Sequence, residues 1–455
     1  MVKITIEKKE YFAPKGTLLS DFLQQNGFDV PHPCGGNGTC GKCTVTVNGK
    51  PEQSCRYLLE EDVTLKLPHR EMIFSPVREG EGEGTGIYVL DLGTTTLALA
   101  EVSAAGEPLQ PVTCTNPQRS FGADVISRIE YSAKNGPERL QKVLLEALSA
   151  LLKGRKGKEL YVAGNTTMLH LLFGVDPSPM GAAPYTPAFL GERRQELPLP
   201  VKNVIALPGI AAFVGADLVA GLMAFAPPVE GKYHLLVDLG TNAEILLFSR
   251  ERVLCTAAAA GPCFEGANIT CGMSAVPGAI SAYSEAGYQT VGEVAPIGIC
   301  GTGLIDLIAT LVRQGVIDES GYLQEDFYVT SAVRLTPGDV RAFQLAKAAV
   351  YAAILALMRR AGIRYDQIDR LYLAGGFSAA VDRENAAAVG LLPRELKEKV
   401  HFAGNSSLRG AARYAAGMPL PSSLGNARYI DLSADGDFAD LFMENMEFGG
   451  KFTSL

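Results

Sequence analysis

Cys34, Cys40, Cys43 and Cys55 stand in the spacing C-x5-C-x2-C-x11-C, within Pro33-Cys34-Gly35-Gly36-Asn37-Gly38-Thr39-Cys40-Gly41-Lys42-Cys43. Four thiolates are a ligand set for an iron-sulfur cluster or for zinc. The glycines favour the cluster. A loop wrapped around it must take positive-φ turns and direct bare N–H groups at its sulfurs, and four glycines lie between Cys34 and Cys43. Structural zinc, the alternative, needs no such loop. Gly36-x4-Gly41-Lys42 also follows the P-loop pattern up to its last position, where Cys43 replaces Ser or Thr. It runs into the alternating strand Thr44-Val45-Thr46-Val47 instead of a helix, so the P-loop reading fails on context. His32 reads as a surface or packing residue, because four cysteines already complete the ligand set.

A second chemistry is written twice. Asp91-Leu92-Gly93-Thr94-Thr95-Thr96 recurs as Asp238-Leu239-Gly240-Thr241-Asn242-Ala243, each inside a strand-turn-strand stretch, Tyr88 to Val102 and Leu235 to Ser249. A tight Gly-Thr hairpin presents N–H groups and hydroxyls to phosphate oxygens, and an aspartate at the strand end holds Mg2+ or its water. Asp91 and Asp238 are therefore the candidate catalytic residues, with Gly93, Thr94, Thr95, Gly240, Thr241 and Asn242 as phosphate-binding turns. A lone Asp-x-Gly-Thr occurs in many ordinary hairpins. The specific signal is the second copy, joined by Leu160-Tyr161-Val162-Ala163-Gly164-Asn165 matching Leu371-Tyr372-Leu373-Ala374-Gly375-Gly376. A duplicated structural hairpin is the bland alternative. Glu265, in Gly261-Pro262-Cys263-Phe264-Glu265-Gly266, and Gly301 and Gly303 lie on glycine-rich segments opening helices. They line the nucleotide cleft, or their glycines serve helix-sheet packing.

The elements that must position these groups divide the chain. Upstream, Lys3 to Glu7 alternates as a strand, Thr17 caps a helix through Gln25, and Thr44 to Val47 is a strand before the turn Asn48-Gly49. A unit of residues 1–67 has little core, so a metal staple makes physical sense. Residues 75–86 alternate Glu with Gly, the composition of a self-repelling tether with a span of about 20 Å. The expected order is a small cysteine-bearing domain over 1–67, a linker over 68–86, and two lobes over 87–230 and 231–455. Arg341 to Arg360 reads as one core helix, and Phe438, Leu441 and Phe442 share a helical face that packs the acidic tail onto the second lobe. Cys114, Cys255, Cys263, Cys271 and Cys300 contain no C-x2-C pair; buried thiols are the default, with a second cluster from the last four as the alternative.

With 455 residues, 47% hydrophobic and 20% charged, composition excludes disorder and a disulfide mini-scaffold. A net charge of −8 gives no general pull toward nucleic acid or anionic membranes. The N-terminus lacks a signal-peptide h-region, and the longest apolar stretch, Ala348 to Met358, is short of the ~20 residues of a membrane span. A cytoplasmic protein with no membrane partner is expected.

The cysteine pattern resembles the 2Fe-2S loop of plant-type ferredoxins with one residue inserted. Residues 87 to about 430 resemble the actin, Hsp70 and sugar kinase superfamily, in which two ribonuclease-H-like lobes close over ATP. That resemblance implies an α/β fold with a β-grasp ferredoxin-like domain ahead of duplicated lobes. It makes Gly375 and Gly376 the adenosine motif, and sets Asn165 and Gly404-Asn405-Ser406 at the connecting hinges. Nearly the full length, including Gly261 to Ala267 and Gly298 to Asp306, is similar to the reductive activators of corrinoid proteins, which return Co(II) corrinoid to Co(I). A 2Fe-2S cluster, ATP and Mg2+ follow as implied cofactors. The implied partners are a corrinoid protein of a methyltransferase system and an external low-potential electron donor, with a homodimer left open. Each ~59 mV of uphill one-electron transfer costs a factor of ten, which is the reason to couple it to ATP. Many such activators carry an extra segment between the two regions, where this chain has only the Glu-Gly tether. The activators of 2-hydroxyacyl-CoA dehydratases share the ATPase fold but bind a 4Fe-4S cluster through cysteines this half does not show. A small-molecule kinase or chaperone-like ATPase with the cluster as sensor is the alternative from another class.

Overall fold

The structure, a computed structural model, describes residues 1–6, 9–26, 28, 30, 43–67, 75–76, 83–122, 124–155, 157–376 and 378–448. At the N-terminus a five-stranded sheet runs in the order Lys9–Ala13, Val2–Ile6, Val63–Lys66, Thr44–Val47, Lys50–Gln53. The pair Val2–Ile6 and Val63–Lys66 is parallel and the other neighbours are antiparallel. Strand alternation sends Ile4, Ile6, Val45, Val47, Val63 and Leu65 to one face, and Leu19, Phe22 and Leu23 of the helix Leu19–Gln25 complete the core there. This is the β-grasp arrangement. The helix starts at Leu19, after the position expected for its cap, because Thr17–Leu18 pairs with Leu58–Leu59 as a short ladder and the Thr17 hydroxyl donates to Pro14 O.

The linker stretch is more ordered at its end than its composition suggests. The strand Gly84–Leu92 begins inside it, and Ser75–Pro76 pairs with Val112 and Thr113. Backbone pairing needs no apolar side chain, and the Glu101 carboxylate accepts from Gly86 N at 2.9 Å. Residues 68–74 and 77–82 lie outside the described residues.

Beyond it, two sheets repeat one plan. In the first, the antiparallel meander Gly84–Leu92, Thr96–Ser103 and Pro108–Thr115 is extended on the other side of Gly84–Leu92 by the parallel strands Gly157–Gly164 and Val201–Ala206. In the second, Tyr233–Leu239, Ala243–Phe248 and Val253–Ala258 form the meander, and Ile368–Ala374 and Val400–Gly404 are the parallel strands. The shared order is that of ribonuclease-H-like lobes. Two compact units result, Met1–Asp217 with Ala411–Ala416, and Leu218–Gly410 with Gly417–Leu455.

The 25-residue helix Pro337–Ala361 extends the expected Arg341 to Arg360 at both ends, started by a capping box between Thr336 and Asp339 and stopped by Gly362 in the left-handed region. It is long and apolar enough to cross a membrane by length and composition, yet 83% of its most apolar stretch is buried inside the protein. Its burial extends around the helix because the C-terminal segment covers it: Leu441 and Phe448 are buried in the same cluster, with Phe438 and Phe442 packed against it.

Candidate functional site

Two of the four clustered cysteines fall on described residues. Cys43 precedes the strand Thr44–Val47 and Cys55 follows Lys50–Gln53, so the hairpin between them brings the pair together. Both thiols are buried in the N-terminal core and their sulfurs are 3.2 Å apart. That is far beyond the ~2.05 Å of a disulfide. Two thiolates bound at ~2.3 Å to one tetrahedral metal stand about half an ångström further apart than this pair. Cys43 and Cys55 therefore stand within about half an ångström of the separation that two thiolate ligands of one metal take. Cys34 and Cys40, with the glycine loop, lie outside the described residues.

Of the remaining cysteines, Cys114, Cys255, Cys263 and Cys300 are buried thiols and Cys271 is partly buried. Burial raises Cys255 and Cys263 to about 12 and Cys114 to about 11. Cys300 donates to Ile280 O at 3.3 Å. Among the described residues no group of three or more His, Cys, Asp or Glu is gathered for a metal.

Each Asp-Leu-Gly-Thr turn closes the central hairpin of its sheet. Asp91 stands opposite Ala98 on one side and Ala163 on the other, and Asp238 opposite Glu244 and Ala374. Strand pairing thus places each aspartate beside the end of the neighbouring parallel strand, which finishes in Gly164 in the first sheet and in Ala374, followed by Gly375, in the second. Gly375 has φ +104°, and a Cβ there would strike Leu239 O. Gly376 is exposed, with open space where a Cβ would stand. Asn165 caps the helix Thr166–Leu172 through Met168 N and donates from Nδ2 to Thr94 Oγ1 at 3.1 Å. In the second half Asn405 caps in the same way through Leu408 N at 2.7 Å. Thr241 Oγ1 donates to Glu265 Oε2 at 2.8 Å, which brings Glu265 onto the second turn. Gly301 and Gly303 are instead packed: Cβ atoms there would collide with the carbonyl oxygens of Phe264 and Ile280. Close approach of the helix Gly301–Arg313 explains both glycines.

A group not singled out in the sequence lies beneath the first turn. Asn116, Gln118 and Arg128 are all 0% exposed. Asn116 Nδ2 donates to Gly93 O at 2.8 Å, Asn116 N to Thr95 O at 2.9 Å, and Arg128 Nη2 to Thr94 O at 2.6 Å. Gln118 Oε1 accepts from Arg128 Nη1 at 3.4 Å, while its Nε2 donates to Leu140 O at 3.0 Å. Burial lowers the Arg128 guanidinium to about 9, with Arg119 adding to the fall and Asp124 opposing it. A signal for it exists: in the helix Val125–Asn135, Arg128 shares its buried face with Val125, Ile129 and Ser132, where helical periodicity asks for an apolar residue.

Three family models match successive parts of the chain. Residues 3–66 match the 2Fe-2S iron-sulfur cluster binding domain, 86–226 the RACo middle region, and 232–454 the C-terminal domain of RACo, the ASKHA domain. The chain is 32% identical over 439 residues to the corrinoid activation enzyme RamQ of Eubacterium limosum, covering 84% of this chain and 73% of that protein. It is 26% identical over 374 residues to a Co(II) methylated amine-specific corrinoid protein reductase of Methanosarcina barkeri, covering 70% and 68%. A solved reductive activator for a corrinoid, iron-sulfur protein superposes with a TM-score of 0.69 at 27% identity, covering 98% of each chain. With a ferredoxin-like domain ahead of duplicated ATPase lobes, and with relatives of this kind along its length, the chain belongs to the RACo family of corrinoid activators.

Proposed function

We propose that this protein is an ATP-dependent reductive activator that returns a partner corrinoid protein from Co(II) to Co(I), using an external low-potential donor. The observation that carries the reading is the union, in one chain, of a buried thiol pair in a β-grasp core with two matched Asp-Leu-Gly-Thr turns. Cys34, Cys40, Cys43 and Cys55 would hold a 2Fe-2S cluster, which supplies one-electron transfer. Residues 1–67 form the redox domain, 68–86 the connection, and 87–230 and 231–455 the lobes. A cytoplasmic setting suits the chain, since thiols stay reduced there.

Each turn does defined work on the nucleotide. The backbone amides and hydroxyls of Gly93, Thr94 and Thr95, and of Gly240, Thr241 and Asn242, cradle phosphate oxygens. Asp91 and Asp238 are the carboxylates that would hold Mg2+ or orient the attacking water, and hydrolysis would then rest on positioning and charge neutralisation rather than on a covalent residue. Asn165 and Glu265 hold the threonine hydroxyls of the two turns in place. Gly376, with open space where a Cβ would stand, would leave room for the adenosine, and Gly375 lets the backbone turn beside Leu239 O just before it.

Nucleotide can drive the protein only through contacts that differ between its states, so ATP and the corrinoid partner must alter each other's affinity by the same factor. The test mixes the reduced protein with a Co(II) corrinoid protein and follows the Co(I) absorption with and without ATP. Co(I) should accumulate only with ATP, and the partner should stimulate ATPase activity. Equal reduction without nucleotide, or phosphorylation of a metabolite, would replace this reading with the sensor or kinase one.

A further inference from the structure

We propose that Arg128 is the positioning residue of the first phosphate turn, locking its peptide planes and setting a buried positive charge behind the nucleotide's phosphates. The proposal rests on the phosphate-binding reading of Gly93-Thr94-Thr95. Its first support is geometric. In a trans peptide the carbonyl and the following N–H point in opposite directions. The carbonyls of Gly93, Thr94 and Thr95 are all drawn into the Asn116–Arg128 network, so the N–H groups of Thr94, Thr95 and Thr96 are turned to the opposite side. A phosphate cradle requires that orientation.

The second support is the choice of residue. A neutral amide suffices to hold a turn carbonyl, as Asn116 does at Gly93 O. At Thr94 O the chain uses a guanidinium with no exposed surface. Among the described residues its hydrogen bonds go to neutral acceptors: Thr94 O at 2.6 Å, Gly122 O at 3.0 Å, Gln118 Oε1 at 3.4 Å and Met168 Sδ at 2.9 Å. Burying a cation whose hydrogen bonds go to such acceptors is expensive for folding, and the nearby Asp124 carboxylate offsets the cost only in part, since burial and Arg119 still lower the guanidinium to about 9. The penalty has a functional return if an anion arrives on the far side of the turn, where low dielectric strengthens the attraction. The helix Val125–Asn135 holds the residue firmly: Asp124 accepts from Ser127 N at 2.8 Å and Ser127 Oγ accepts from Asp124 N at 3.2 Å. At the second turn the tie is the Glu265 carboxylate on Thr241 Oγ1.

The experiment compares full-length wild type, Arg128→Gln and Arg128→Lys for affinity toward ATP and toward adenosine, by displacement of a fluorescent nucleotide, with thermal unfolding recorded alongside. Arg128→Gln should weaken ATP about tenfold or more while changing adenosine less than about twofold, and Arg128→Lys, which keeps the charge without the fork, should fall between. An equal loss for ATP and adenosine would mean that Arg128 serves general stability only and would overturn the proposal. So would unchanged ATP affinity in a folded variant while Asp91→Asn abolishes hydrolysis, an outcome that leaves the phosphate reading intact. If Arg128→Gln and Asp91→Asn both bind and hydrolyse ATP normally, the phosphate reading fails and the proposal with it. Should Arg128→Gln not fold, the same contrast between ATP and adenosine in Arg128→Lys decides.

Discussion

Asp91 and Asp238 occupy equivalent places, each half-buried on the central strand of its sheet and next to the end of a parallel strand. Asparagine preserves their shape and removes the charge that would hold Mg2+. Asp91→Asn or Asp238→Asn should therefore lower kcat for ATP hydrolysis by about a hundredfold or more, with Tm shifted by no more than about 2 °C. A steady-state phosphate-release assay beside a melting curve checks both halves of that statement, and normal hydrolysis in both variants would remove these residues from the chemistry. The residues around the aspartates differ between the halves. Asn165 and the Arg128 network tend the first turn, and Glu265 tends the second. Repeated sequence therefore encodes the same backbone turn with unlike supports.

At the scale of elements, the C-terminal segment and the helix Pro337–Ala361 are joined by a buried cation. Lys347 is 0% exposed, donates from Nζ to the carbonyls of Asn445 and Glu447, and lies 5.3 Å from the Phe448 ring centroid. Gln344 adds bonds to Ser320 O and Met446 O. Burial lowers the Lys347 ammonium from 10.5 to about 7, with Glu447 opposing the fall. Between pH 7 and 10.5 the unfolded chain thus holds a proton that the folded chain has released, so stability rises with pH across that window. Below pH 7 the folded chain also carries the charge, and the full penalty of burying it is felt. Lys347→Met should flatten this rise, measured as denaturant midpoints from pH 7 to 10 against wild type. Parallel profiles for the two proteins would show that Lys347 keeps an ordinary proton affinity. The helix itself was legible from its Ala and Leu content. Its burial on the face carrying Gln344 and Lys347 was not, because that depends on a tail about a hundred residues downstream in sequence.

In the whole molecule, the N-terminal sheet has a hydrophobic core of its own, built from Val2 through Leu65 and including Cys43 and Cys55. A bound cluster would stabilise so small a core, since binding free energy becomes folding free energy. Cys43→Ser should cut iron and acid-labile sulfide from about two each per chain to a small fraction, and should lower an early thermal transition by more than about 10 °C. ATP binding should persist, because the nucleotide turns belong to other sheets. Loss of ATP binding together with iron would show that the cores unfold as one.

Sequence by itself determined the chemistry and the plan. Cysteine spacing, glycine content and the doubled Asp-Leu-Gly-Thr turn are local features, and strand and hairpin formation around them follows from alternation and turn residues over a few positions. The family resemblance came from those same motifs. Tertiary structure decided what depends on contacts distant in sequence. It brought Cys43 beside Cys55, set Glu265 on Thr241 and Asn165 on Thr94, and assigned Gly301 and Gly303 to close packing. It also buried Arg128 under Thr94 O and Lys347 under the tail. A charged side chain on an otherwise apolar face does not reveal its acceptors, because the carbonyls it meets belong to strands and turns that only folding brings within hydrogen-bonding distance.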